Sequence, residues 1–194
     1  MKLISKSLLT TAVLSLGATF PAAADWMLND DASALHFMTT KNAQVSEVHQ
    51  FHSLSGSVTD DGALTVSVDL ASVDTAIDIR NTRMKEMLFQ VADFPHATFT
   101  ASLPESMTAL ESGDTETGTV DGTLTLHGEA VPVSFQVRAS KLNDTTMVVS
   151  TVAPTLIKAK SFGLSDGVMA LQNIAGLNSI TTTVPLTFSV VFSK

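Results

Sequence analysis

Apolar and polar positions alternate along most of this chain, which is the period of a strand with one face buried and one in water. Leu64, Val66, Val68 and Leu70 alternate with Thr65, Ser67 and Asp69. The preceding Asp60-Asp61-Gly62 predicts a tight turn, so residues 53–72 read as a hairpin. Val120, Gly122, Leu124 and Leu126 alternate with Asp121, Thr123 and Thr125, and His127-Gly128-Glu129 turns the chain. Val131, Val133, Phe135 and Val137 then alternate with Pro132, Ser134, Gln136 and Arg138. A turn at Asn143-Asp144 leads into a strand over 145–157, and Val184, Leu186, Phe188, Val190 and Phe192 form a long last strand. Segments 33–40 and 96–103 are shorter strands with Leu35, Phe37 and Phe99 on the apolar face. The pattern amounts to about eight strands.

Two segments break the alternation. Met84, Met87, Leu88 and Val91 recur at i, i+3, i+4 and i+7, which predicts a helix over 80–91. Asp93-Phe94-Pro95 ends it, because the residue before proline avoids helical geometry. Residues 163–177, with glycines at 163, 167 and 176, predict a short helix or covering loop between the last two strands.

The polar set is Thr, Ser, Asp, Gln and Arg, which suits an outer face in water, and the apolar set points inward. A membrane barrel would reverse this arrangement. A sandwich and a barrel give the same alternation, but four links tight enough for hairpins favour an up-and-down meander. The expectation is an all-β fold, an eight-stranded antiparallel up-and-down barrel with one or two short helices covering its ends. Such a barrel is just wide enough to hold one slender ligand. Phe37, Val66, Val68, Met84, Met87, Phe99, Leu124, Val133, Phe135, Leu186 and Phe188 are the lumen candidates. The competing reading of the same residues is a filled core.

Composition narrows the function classes. The 194 residues are 44% apolar, which suffices for a core. The chain has no cysteine, so it has no disulfide framework and no thiolate metal site. Eleven basic residues against nineteen acidic ones, a net charge of −8, leave no footprint for nucleic acid. Lys2 and Lys6, an apolar stretch from Leu8 to Phe20 and Ala22-Ala23-Ala24 read as a cleavable secretory signal over 1–24. Its loss takes the basic count to nine and the charge to −10 on a single domain of residues 25–194. No later segment has the ~18 apolar residues of an integral membrane span. An exported, periplasmic protein is expected.

Catalytic chemistry is sparse in the sequence. No GxSxG, HExxH, P-loop or GxGxxG motif is present. His49 and His52 point to opposite faces if they share a strand, and so cannot share a metal there, whereas on a turn or bulge they could. Glu111, Asp114 and Glu116 sit in a polar stretch that reads as a solvated loop. Arg80 and Arg83, at the start of the helix, are candidates to hold an anionic headgroup, against the alternative of a solvated helix face. No metal, catalytic residue or cofactor is assigned. Two rival classes are a small periplasmic enzyme using a histidine–carboxylate pair and a stress-related protein-interaction module.

Five motifs in order carry a resemblance: Phe51-x-x-Leu54-x-Gly56-x-Val58; Leu70-Ala71-Ser72-Val73-Asp74-Thr75; Arg80 to Phe89 with Phe94-Pro95-x-Ala97-Thr98-Phe99; Gly122 to Gly128 with Val131-Pro132-Val133; and Ser161-Phe162-Gly163-Leu164. Over residues 26–193 the chain resembles the YceI-like family of exported lipid-binding proteins. Four positions depart from the family pattern: His49 where glycine is frequent, Ser161 in place of an acid, and Asn81 and Thr82 after the helix arginine. The resemblance implies a lipocalin-like barrel holding a polyisoprenoid (polyprenol), an isoprenoid quinone or a fatty amphiphile as ligand, without enzymatic activity. It also implies that two copies pair as a homodimer.

Overall fold

The computed structural model describes residues 25–194; the predicted signal segment lies outside them. Eleven strands form one antiparallel sheet: β1 (Trp26–Lys41), β2 (Val45–Phe51), β3 (Leu54–Val58), β4 (Ala63–Asp69), β5 (Val73–Asp74), β6 (His96–Ser102), β7 (Thr115–Leu126), β8 (Glu129–Asn143), β9 (Thr146–Thr151), β10 (Thr155–Lys158) and β11 (Thr183–Ser193). β11 pairs with β1, which closes the ring β1-β3-β4-β6-β7-β8-β9-β11. This is the expected eight-stranded antiparallel barrel.

The three extra strands are continuations of ring strands beyond interruptions. β1 meets β3 at Trp26↔Val58 and β2 at Leu35↔Phe51, with a register shift between Asn29 and Ala34. A bulge of this kind bends a strand and tightens its twist. In the same way a 3₁₀ turn at Leu70–Ser72 separates β4 from β5, and residues 152–154 separate β9 from β10. β2, β5 and β10 therefore extend the wall at one end of the barrel, called here the mouth.

Helices fill the gaps at the mouth. α1 (Asp78–Arg83) runs directly into a π-helical segment (Met84–Phe89) that stops at Gln90 in the left-handed region. This stop is earlier than Phe94-Pro95. α2 (Glu105–Thr108) sits at the opposite end, the base. α3 (Ser165–Ile174) follows a second 3₁₀ turn at Ala159–Phe162 and fills the segment left open as helix or loop. Gly167 lets α3 and the π-helical segment touch: a Cβ there would lie 2.8 Å from the Met87 carbonyl oxygen and 2.9 Å from Leu88 Cα.

The core follows the alternation. Phe37, Leu54, Val68, Phe162 and Phe192 belong to a large buried cluster, and Met107, Val120, Phe135 and Val137 to a second towards the base. Burying such side chains is worth roughly 1.5–3 kcal/mol each, which must hold the fold without a disulfide.

Candidate functional site

A cavity of about 520 Å³ runs through the lumen. Trp26 and Lys41, the two ends of β1, both line it. At ~3.3 Å per residue and a strand tilt of about 35–45°, it extends over roughly 30–40 Å. Among the sequence-derived candidates, Phe37, Val66, Val68, Phe99 and Leu124 line the wall. Phe135, Leu186, Phe188 and Met84 also line it, and Arg80 and Arg83 stand at the mouth.

Met87 and Val133 are not on the wall. A π turn is hydrogen-bonded i→i+5, so Leu88 and Phe89, rather than Met87, fall beneath Met84 and face the lumen. Val133 is half-buried and packs into the Phe135 cluster without reaching open space. Phe135 itself stands edge-on to Phe99 at 5.0 Å and to Phe188 at 5.4 Å. At the base, Lys194 Nζ lies 5.0 Å above the Trp26 ring and 3.4 Å from Asp60 Oδ1.

The mouth carries a charged cluster. Glu47 Oε2 accepts from Lys41 Nζ at 3.0 Å and from Arg80 Nη1 at 2.8 Å. Arg80 Nη2 donates to the Thr75 carbonyl at 2.6 Å. Thr75 is held in turn by Asn81, whose Oδ1 accepts from the Thr75 amide at 2.8 Å and from its hydroxyl at 2.6 Å. Asn81, one of the departures from the family pattern, therefore anchors the carbonyl that orients Arg80. The hydrogen bond from Lys41 foremost, and then Arg80, hold the Glu47 carboxyl below its ordinary range against an opposing effect of burial.

His49 lies one inward step deeper than Glu47 on β2. It is 4% exposed, its ring packs 5.2 Å from Phe37, and its Nε2 shares a hydrogen bond with Thr39 Oγ1 at 2.9 Å. Burial, and next the positive charge of Arg80, lower its pKa, so the ring is neutral at ordinary pH. His49 Nδ1 and Arg80 Nε are buried without a hydrogen-bond partner among the described residues. Such groups are costly unless a ligand or water satisfies them. Arg80 Nε–H can only donate, so its complement is an acceptor oxygen. The guanidinium and the ring both border the apolar cavity, an arrangement suited to holding a polar head above an apolar tail.

His52, by contrast, is on the outer side, 3.0 Å from Asp74 Oδ2, so the two histidines do face apart. Asp74 also accepts from the Ala76 amide, the largest of the effects that lower its pKa to about 2. Among the described residues no group of three His, Cys, Asp or Glu side chains could hold a metal ion. Lys41, Glu47, Thr39 and His49 were not among the site residues chosen from sequence. The available signal was their phase: Lys41 and Thr39 alternate with Phe37 on β1, and Glu47 and His49 with Phe51 on β2, opposite one another in register.

The class defined by these features is a closed antiparallel barrel with an apolar lumen and a charged mouth. The YceI-like domain model matches residues 26–192, and the chain belongs to that family. Among solved structures it is similar to a polyisoprenoid-binding domain from Saccharophagus degradans, with 37% identity over 87% of this chain and 97% of the other, at a TM-score of 0.83. It shares its fold with BcnA of Burkholderia cenocepacia (22% identity, 84% and 98% coverage, TM-score 0.65). It also shares it with the YceI protein of Campylobacter jejuni (18% identity, 96% and 99% coverage, TM-score 0.57). No curated protein matches the sequence.

Proposed function

We propose that this protein binds a long-chain isoprenoid or similar lipid, a polyprenol, an isoprenoid quinone or a fatty amphiphile. The tail lies in the barrel lumen and the polar head at Arg80, Arg83 and His49. The observation that carries this reading is the continuity of one apolar cavity of about 520 Å³ with a mouth where Arg80 Nε and His49 Nδ1 are buried without a partner among the described residues. The volume falls within the ~300–1,000 Å³ of small-molecule sites. A tail gains roughly 0.8 kcal/mol per buried CH₂, so length, rather than many polar contacts, supplies affinity. The related domain from Saccharophagus degradans binds polyisoprenoid and covers most of this chain, which supports the same ligand class here.

The proposal extends to setting: cleavage after residue 24 releases a periplasmic protein that carries or stores its lipid. It acts as a binding protein and not as an enzyme. Native mass spectrometry of protein purified from its own periplasm tests ligand and location together. A co-purifying lipid of defined mass on a chain beginning at Asp25 is the expected result. Protein that arrives empty and then ignores added polyprenols, isoprenoid quinones and fatty acids would overturn the reading.

A further inference from the structure

The mouth has a second property that lipid binding alone does not require. Ile77, Ile79 and Ile174 are 45%, 57% and 48% exposed, yet all three also line the cavity. Ile77 immediately precedes α1, Ile79 lies in its first turn and Ile174 ends α3. The apolar wall of the lumen therefore continues onto the outer surface at the two helical elements. Large aliphatic side chains grouped at an opening differ from singly scattered ones, which need no explanation.

The same rim is tied to the β1–β2 hairpin. Lys41 bridges to Ile180, the Asn42 amide donates to the Ser179 carbonyl at 2.9 Å, and the Asn178 amide donates to Asn42 Oδ1 at 2.8 Å. The Arg80–Glu47–Lys41 bridges join this hairpin to α1. The isoleucines thus sit on one connected collar around the opening.

Charge points the same way. The cavity-lining residues at this end carry three cations, Lys41, Arg80 and Arg83, against the single carboxylate of Glu47, in a chain whose net charge is −8. On the outer surface of the same helical stretch Asp78 and Glu86 are exposed and Lys85 adds a cation, so the collar as a whole carries four cations against three carboxylates. A local excess of positive charge beside exposed aliphatic side chains matches the surface of an anionic bilayer, where apolar groups enter the interface and cations meet phosphates.

We infer that the mouth is a docking surface for an anionic lipid bilayer. The three isoleucines enter the interface and Lys41 and Arg83 face its phosphates, so that the ligand passes between bilayer and lumen without crossing water. This rests on the lipid-binding reading, and its test is separable from the test of that reading.

The experiment is flotation of the protein with vesicles of phosphatidylethanolamine and phosphatidylglycerol at three to one, free of isoprenoids, with phosphatidylcholine vesicles in parallel. The wild type floats with the anionic vesicles and at least tenfold less with phosphatidylcholine. Ile79→Glu combined with Ile174→Glu lowers flotation tenfold or more. The milder Ile79→Ser lowers it severalfold, which covers any folding defect of the double variant. Leu142→Glu, an equally exposed leucine at the β8–β9 turn of the base, leaves flotation unchanged. A wild type that stays at the bottom of the gradient overturns docking, as does an isoleucine variant that floats normally or a Leu142 variant that loses as much. Protein that takes up polyprenol from detergent but never floats overturns docking alone. Protein that floats but never takes up lipid overturns the binding reading instead.

Discussion

Arg80 reaches across 33 residues of sequence to place Nη1 2.8 Å from Glu47 Oε2, joining the start of α1 to the inward face of β2. The bond commits one corner of the guanidinium, the Thr75 carbonyl takes a second, and Nε is left buried without a partner among the described residues. A side chain fixed at two points and free at a third is preorganised for a ligand. Replacing Arg80 by Ala removes both the fixed contacts and the free donor. Hydrogen bonds to charged groups are worth about 1.5–3 kcal/mol, so lipid affinity should fall roughly 10- to 100-fold in a fluorescent-lipid displacement assay. Undiminished affinity in a folded variant would place the head elsewhere.

Three groups near the mouth have lowered pKa values, and all favour the same pH response. His49 is held below its ordinary value near 6.5 chiefly by burial, and Glu47 below 4.5 chiefly by Lys41. Asp74 lies at about 2 against 3.8, chiefly through the Ala76 amide. In each case the unfolded chain binds protons at a higher pH than the folded one, so stability rises with pH across each window. The His49 contribution is complete above 6.5 and is lost as pH falls through its folded value. The losses of Glu47 and Asp74 follow at lower pH. Urea midpoints measured from pH 8 to pH 5 should fall, and His49→Gln should flatten that segment. A midpoint that rises on acidification would refute the assignment of a buried neutral ring.

Gly167 is predicted to gain no stability from a side chain. Ala in a helix interior is favoured over Gly by about 1 kcal/mol. Against this, the new Cβ would sit 2.8 Å from the Met87 carbonyl oxygen and 2.9 Å from Leu88 Cα, both backbone atoms. Overpacking of this kind costs typically about 1–3 kcal/mol. Gly167→Ala should therefore be neutral to destabilising by up to about 2 kcal/mol, and Gly167→Val more so, read as a drop in Tm. A stabilised Gly167→Val would show that α3 and the π-helical segment move apart freely.

The barrel was legible where alternation was unbroken, as in β7, β8 and β11, because period two needs only local sequence. It was illegible where the chain was rephased. The bulge between Asn29 and Ala34 places the polar Asp30-Asp31 inside a strand of sixteen residues, of which only 33–40 could be read. Residues 152–154 likewise split one predicted strand into β9 and β10. The spacing of Met84, Met87, Leu88 and Val91 fits an α-helix, but hydrogen-bond register is not written in apolar spacing, and the π segment exchanged Met87 for Phe89 at the cavity. The charged mouth was hidden for another reason. Lys41, Glu47 and Arg80 become neighbours only when β1 pairs with β2 and α1 folds over both.

The last prediction separates a binding cavity from loose packing of a core. Leu124 lines the cavity opposite Phe99 in register and is half-buried, so a larger side chain there would extend into the space that the proposed tail occupies. In a filled core, Leu124→Trp would force its neighbours off their rotamers at a cost of about 1–3 kcal/mol. With about 520 Å³ open in the lumen, the indole has room, and the added apolar burial of roughly 25 cal/mol per Å² offsets any local strain. The expected outcome is a Tm within a few degrees of the wild type together with a loss of lipid uptake of at least tenfold. Phe135→Arg should also abolish uptake, but it introduces a charge among Phe99 and Phe188, so a defect there mixes blockage with instability. Thermal melts and uptake measured on the same preparation of Leu124→Trp decide the matter. A large drop in Tm would mean the lumen is packed solid, and full uptake at unchanged Tm would mean the tail does not lie along β7.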